Sequence, residues 1–163
     1  MIIVEKPSVG DAEEIARVHR VSWHETYDGI LPAESIEGLL NSSEKAQITH
    51  FRDVSMGKKP EHLLLVARNE KGIVGFCDAL KNDDLGEMKA IYILREFQRQ
   101  GIGSEFMKYI FFHLRETKEI FSDLLRENIP AIRFFERHGF ALSGNQEFIR
   151  GINLVTMIRH MKQ

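Results

Sequence analysis

Cysteine is nearly absent from this sequence: Cys77 stands alone among 163 residues. No internal disulfide can form, and no pairing of cysteine with histidine has zinc-site spacing, which suits a reducing cytoplasm. Cys77 reads as a small buried hydrophobe. Long apolar runs are also missing. The N-terminus passes from Ile2-Ile3-Val4 straight to charge, and nothing approaches the roughly 18 residues of a membrane span, so neither export nor membrane anchoring is expected. Charge of one sign is lacking too: 22 basic and 24 acidic residues leave a net charge of -2. Without a basic block to hold a phosphate backbone, nucleic acid is not an expected partner. The seven histidines show no metal-ligand spacing and no metal is expected. His138, just before Gly139, reads as a helix C-terminal cation favoured by the dipole. Repeats, linkers and low-complexity tracts do not occur.

What is present is the ordinary material of one globular domain over residues 1–163, with 43% apolar and 28% charged residues. A short strand is predicted at about 2–6, then a helix opened by Asp11 with Glu14 three residues on, the spacing of a capping box. That helix carries Ile15, Val18, Ser22 and Trp23. Gly29 to Pro32 breaks the pattern, and two helices are predicted at about 33–41 and 43–55, a segment suited to form one wall of a cleft. Residues 63–67 and 73–77 read as strands joined by a tight turn at Asn69-Glu70-Lys71-Gly72. Another strand is predicted at about 86–94. From 102 to 116, Ile102, Phe106, Ile110 and Leu114 recur every fourth residue, the stripe of a core-facing helix. A strand at about 119–125, a helix at about 129–138, a stop at Gly139-Phe140 and strands near 140–143 and 149–160 complete the chain. The sum is an α/β fold, a mixed sheet flanked by helices.

The most informative stretch is Gln98-Arg99-Gln100-Gly101-Ile102-Gly103-Ser104, which joins a strong strand to a strong helix through two glycines. Without side chains there, a ligand can approach the backbone closely. The free N–H groups of the first helical turn then face it with the positive end of the dipole, a natural seat for a pyrophosphate. Neither the G-x-x-x-x-G-K-[ST] phosphate loop nor the G-x-G-x-x-G dinucleotide fingerprint fits, because Gly103 is followed by Ser104-Glu105-Phe106, with no Gly-Lys-Ser/Thr and no third glycine. The pattern is Q-x-x-G-x-G.

Ile91-Tyr92-Ile93-Leu94 followed by Gln98-x-x-Gly101-x-Gly103 resembles the acetyl-CoA signature of the GNAT N-acetyltransferase superfamily. Asn128-x-x-Ala131-x-x-Phe134-Phe135-x-x-x-Gly139-Phe140 is similar to that family's next block. Val18-His19-x-x-Ser22-Trp23-x-x-Thr26-Tyr27-x-Gly29-Ile30-Leu31-Pro32 is similar to the first helix of many bacterial members. The resemblance implies a mostly antiparallel sheet of six to seven strands, splayed between its fourth and fifth strands to take the pantetheine arm. It implies acetyl-CoA as co-substrate and a small-molecule or peptide amine as partner, with a homodimer left open.

By the same resemblance, backbone groups at Ile91, Tyr92 and Ile93 pair with the pantetheine amides. Gln98, Arg99, Gln100, Gly101, Ile102, Gly103 and Ser104 hold the pyrophosphate. Asn128 contacts the arm, though its position before Pro130 also suits an N-cap. A lysine-like amine of pKa about 10.4 is almost wholly protonated at neutral pH, so transfer needs a base. Glu87, at the start of the strand carrying Ile91, resembles the acidic residue that several members use through water. Asp123, five residues before Asn128, matches the acidic base of protein N-terminal acetyltransferases. Phe135 stands where many members have a tyrosine that protonates the leaving thiolate, so here it is expected to pack against the thiol end. A backbone N–H near Ile93 serves the oxyanion. Trp23 and Tyr27, one helical turn apart, are candidates to line the acceptor cleft, unless the core takes them.

Overall fold

The computed structural model describes residues 1–149 and 152–162, with the side chain of Ile149 left aside. In chain order the elements are β1 (Ile3–Glu5), α1 (Ala12–Tyr27), α2 (Ala33–Ser55), β2 (His62–Asn69), β3 (Gly72–Asn82), β4 (Leu85–Ile93), α3 (Ile102–His113), β5 (Glu119–Leu125), α4 (Ile129–Arg137), β6 (Ala141–Ile149) and β7 (Ile152–His160). The strands form one sheet in the order β1-β2-β3-β4-β5-β7-β6. Every neighbouring pair is antiparallel except β4 with β5, which is parallel. The mixed α/β sheet expected from the sequence is therefore present. Positions 150 and 151 of the strand predicted over 149–160 lie outside the described residues.

Helices cover both faces of the sheet. Phe106, Met107 and Ile110 of α3 and Ile132 and Phe135 of α4 pack with Cys77, Ala79, Met88 and Ile120 on one face. Ile15 and Val18 of α1 and Phe51 of α2 pack with Leu64, Val66, Ile73 and Phe76 on the other. Each of these large side chains, removed from water, contributes on the order of 1.5–3 kcal/mol. The predicted α3 stripe is wholly inside, with Ile102, Phe106, Ile110 and Leu114 all buried. Its helix ends at His113, short of the predicted 116, where the Thr117 hydroxyl donates to the Leu114 carbonyl at 2.7 Å.

Two local expectations are corrected. Residues 33–55 form one helix rather than two. The hydroxyls of Ser42 and Ser43 fold back onto the Leu39 carbonyl at 3.0 and 2.9 Å, so the polar stretch is carried inside the helix while Ile36, Leu40 and Phe51 stay buried. The capping box is formed three residues earlier than predicted. Asp11 Oδ2 accepts from the Ser8 N–H at 2.8 Å and from its hydroxyl at 3.1 Å, and also from Arg68 at 2.7 Å. The Arg68 hydrogen bond holds the Asp11 carboxyl below its ordinary value. Glu14 instead reaches across to β3, where Oε2 accepts the Ile73 N–H at 2.8 Å and ties α1 to the sheet.

Candidate active site

The parallel ladder between β4 and β5 is short. It joins Leu85 to Glu119, Gly86 to Ile120 and Glu87 to Phe121, while the strands themselves run on to Ile93 and Leu125. Two features accompany the parting. Pairing of β3 with β4 shifts register between Asp78–Ala90 and Ala79–Met88, which leaves Lys89 as an extra residue that bends β4. Just past the last pair, the buried Ser122 hydroxyl donates to the Met88 carbonyl at 3.0 Å, satisfying a group the ladder no longer reaches. Ser122 carried no signal in the sequence, because a serine inside a strand reads the same wherever the ladder stops.

Beyond Ile93, a short turn leads into α3. Gln98 donates its side-chain amide to the Ile93 carbonyl at 2.9 Å, pinning the turn to the end of β4. Arg99 and Gly101 both have positive φ, 62° and 86°. Arg99, Gln100, Gly101 and Ser104 are exposed, whereas Ile102 and Gly103 are buried. A Cβ on Gly103 would lie 2.8 Å from Phe134 Cε1. Thus Gly101 supplies conformation and Gly103 supplies space at the N-terminus of α3.

The face of the sheet under α1 and α2 collects the remaining candidates. Glu87 pairs with Leu80, which lies two residues from Asp78; since Asp78 bonds His50 of α2, the carboxylate of Glu87 stands on the α2 side. Its partner on β5 is Phe121, two residues before Asp123. Leu125, two further on, packs with Tyr27, Ile36 and Leu40. Glu87 and Asp123 therefore share one face, at the fork of the two strands. Glu87 is partly buried, with Lys89 Nζ 3.6 Å away. Asp123 is exposed and accepts the Thr156 hydroxyl at 2.6 Å.

One side of α1 supplies a wall of rings. His19, Trp23 and Tyr27 follow one another at four-residue intervals. His19 lies edge-on to Tyr92 with ring centroids 4.9 Å apart, and Trp23 and Tyr27 lie 4.8 Å apart. Trp23 donates its indole N–H to the Tyr92 oxygen at 3.2 Å. Burial pushes the phenols of Tyr27 and Tyr92 up, so both stay protonated. Of the two roles expected of Asn128, the structure shows the N-cap. Its oxygen accepts the Ala131 N–H at 3.2 Å as the N-cap of α4, and its NH₂ donates to Tyr27 at 3.2 Å. This link joins α1 to α4 across the end of β5. Tyr27 is buried and Trp23 partly so.

Phe135 is 1% exposed and sits among Phe134 and Phe140, edge-on to both rings. Burial, then the charges of Arg137 and Arg159, push the imidazole of His138 down from the ordinary value, and its Nε2 lies 3.3 Å from Ser104 Oγ. Sequence spacing also passed over a cluster. His50, His62 and Asp78 bring one ligand-type atom each to within 4.8 Å of one another. They come from α2, β2 and β3, and only the fold makes them neighbours.

A mixed α/β sheet whose one parallel pair parts beside a glycine turn at a helix N-terminus defines the class of fold. The family model described as the acetyltransferase (GNAT) family matches residues 15–140, and the chain belongs to that family. Among curated proteins it is similar to the N-acetyltransferase YuaI of Bacillus subtilis, 35% identical over 109 residues, or 63% of this chain and 58% of that one. It is also similar to the spermine/spermidine N(1)-acetyltransferase of the same organism, 33% identical over 60 residues, 35% of this chain and 40% of that one. The chain thus spans less than two thirds of these relatives' length. Among solved structures, the PaiA N-acetyltransferase of Thermoplasma acidophilum in complex with coenzyme A superposes with a TM-score of 0.81 at 21% identity, covering 98% of this chain and 99% of that one. A putative acetyltransferase of Salmonella typhimurium, YncA, with acetyl-CoA gives 0.70 at 13% identity over 100% and 95%. These likenesses establish the fold. Among the described residues, no helix is long and apolar enough to cross a membrane.

Proposed function

We propose that this protein is an acetyl-CoA-dependent N-acetyltransferase that moves the acetyl group to the primary amine of a small molecule or peptide by direct attack. The observation that carries the reading is the end of the β4–β5 ladder at Glu87 and Phe121, beside the turn at Arg99–Ser104. Strand edges left unpaired offer N–H and C=O groups to an amide-bearing arm as an added strand would. The pyrophosphate then falls to the backbone of residues 99–104, with Asn128 beside the arm. Structural neighbours bearing coenzyme A and acetyl-CoA support this assignment.

In the reaction, a neutral amine attacks the thioester carbonyl, a backbone N–H near Ile93 bears the developing oxyanion, and the thiolate leaves. Glu87 takes the proton from the amine through water. Its carboxylate is at the fork and carries only a long ion pair, whereas Asp123 is engaged by Thr156. A thiolate of pKa near 8.5 departs without a strong acid, so Phe135 is compatible with turnover. Trp23, partly exposed, lines the acceptor wall, and Tyr27, taken into the core with Ile36, Leu40 and Leu125, backs it from behind. The reading puts the reaction in the cytoplasm, where a lone buried thiol at Cys77 is unremarkable.

Melting with acetyl-CoA and with CoA tests the binding half: at 100 times Kd a ligand adds about 2.7 kcal/mol. Free-thiol release over a panel of polyamines, aminoglycosides, amino acids and peptide N-termini tests the transfer half. Glu87→Gln is expected to lower turnover by roughly 10²–10⁴, more at low pH than at high pH. An unchanged pH profile, with the loss appearing in Asp123→Asn, would move the base to Asp123. A silent panel with clear cofactor binding would make the protein an acyl-CoA sensor.

A further inference from the structure

Asp78 is a buried carboxylate, its side chain 5% exposed, on the sheet face that carries the apolar cluster of Leu64, Val66, Ile73 and Phe76. Its two oxygens receive one imidazole each, Nε2 of His50 at 2.7 Å and Nδ1 of His62 at 2.8 Å. Lys59 Nζ lies 2.9 Å from Nδ1 of His50. An ammonium can only donate, so that nitrogen accepts, and the proton of a neutral His50 sits on Nε2, facing Asp78. His62 places its proton on Nδ1 in the same way. Two imidazole protons thus occupy the space between two nitrogens and a carboxylate, which is the donor set that transition metals take from proteins.

We propose that His50, His62 and Asp78 form a binding site for a divalent transition metal ion of the zinc type, held closed by Lys59 while the ion is absent. Ligand bonds of about 2.0–2.1 Å at tetrahedral angles put neighbouring ligand atoms about 3.3 Å apart. The two short N···O contacts end on different oxygens of Asp78, so whichever oxygen binds, its own imidazole draws back by about half an ångström, while ligand atoms up to 4.8 Å apart close toward that spacing when the ion replaces the protons. Each imidazole moves its proton to its other nitrogen, so none need be lost. In His62 that nitrogen, Nε2, makes no hydrogen bond among the described residues. In His50 it is the nitrogen that Lys59 occupies, and two donors cannot face each other. Lys59 must swing out, which its partly exposed side chain allows. Three protein ligands leave the fourth position to water, reached past His50, the most exposed of the three at 22%. The bound ion would staple α2 to β2 and β3, next to the wall that bears Glu87, without entering the transfer chemistry.

Calorimetric titration of chelator-stripped protein with zinc chloride in a non-coordinating buffer tests the proposal. One ion per chain is expected, together with a rise in melting temperature. His62→Ala should abolish binding, and His160→Ala, at an exposed histidine near the end of β7, should leave it unchanged. Lys59→Met should tighten it at least tenfold, because the competing donor is gone and no ligand is touched. That variant keeps the test decisive if His62→Ala fails to fold. Absence of a saturable single-ion isotherm, equal loss in His160→Ala, or unchanged or weaker binding in Lys59→Met would each overturn the assignment.

Discussion

At Gly101 the backbone has φ of 86° with open space around the missing Cβ, while at Gly103 a Cβ would press on Phe134 at 2.8 and 2.9 Å. Substitution separates the two requirements. Gly101→Ala meets left-handed strain of about 1–2 kcal/mol and no clash. Gly103→Ala has to displace the Phe134 ring, which lies tilted against His138 with ring centroids 4.6 Å apart. It is expected to weaken CoA binding about tenfold or more by shifting the first turn of α3, measured by titration with CoA. His19 gives a second prediction. Burial, with Arg20 adding to it, lowers its pKa from 6.5 to about 4. The unfolded chain therefore binds the extra proton first, and stability falls as pH drops from about 6.5 toward 4. The loss between pH 7 and 5 is about 2 kcal/mol, and His19→Gln should flatten it in urea melts at the two pH values. At this scale the sequence displayed the glycines but not their division of labour. His19 stood inside a quoted motif with nothing to mark it as buried, because burial comes from Phe76 and Tyr92, more than fifty residues away.

Among the elements, α4 shows how one residue serves two neighbours. Asn128 caps the helix and bonds Tyr27, so Asn128→Asp should keep the cap and lose only the donated bond, whereas Asn128→Ala loses both. The alanine variant is expected to cost about 1 kcal/mol more in denaturant melts, and equal stability of the two variants would refute the capping role. Strong periodicity made α3 and the strands from 62 to 93 readable, since Ile102, Phe106 and Ile110 repeat without interruption. The division of residues 33–55 failed at Ser42 and Ser43, whose hydroxyls both find the Leu39 carbonyl one turn back and let the helix run on. Likewise, nothing local told that Glu14 would leave its own helix terminus for Ile73.

For the molecule as a whole, the place where β4 and β5 part fixes the functional reading. The glycine turn, the acids at positions 87 and 123 and the ring wall of α1 all border that opening. The Q-x-x-G-x-G pattern and the Asn128 block made the architecture legible in advance. The point of parting was not, since it depends on a bulge at Lys89 and a hydroxyl at Ser122 that no periodicity reveals. The cluster of His50, His62 and Asp78 escaped for the same reason: it is assembled by three elements. The central claim is that the unpaired edges of β4 and β5 and the turn at 99–104 receive the cofactor. Residue-resolved amide hydrogen exchange with and without CoA tests it most directly. Protection should appear at residues 99–104 and at β5-facing amides within 89–93, at one CoA per chain. Unchanged exchange at both places, under saturating CoA, would contradict it.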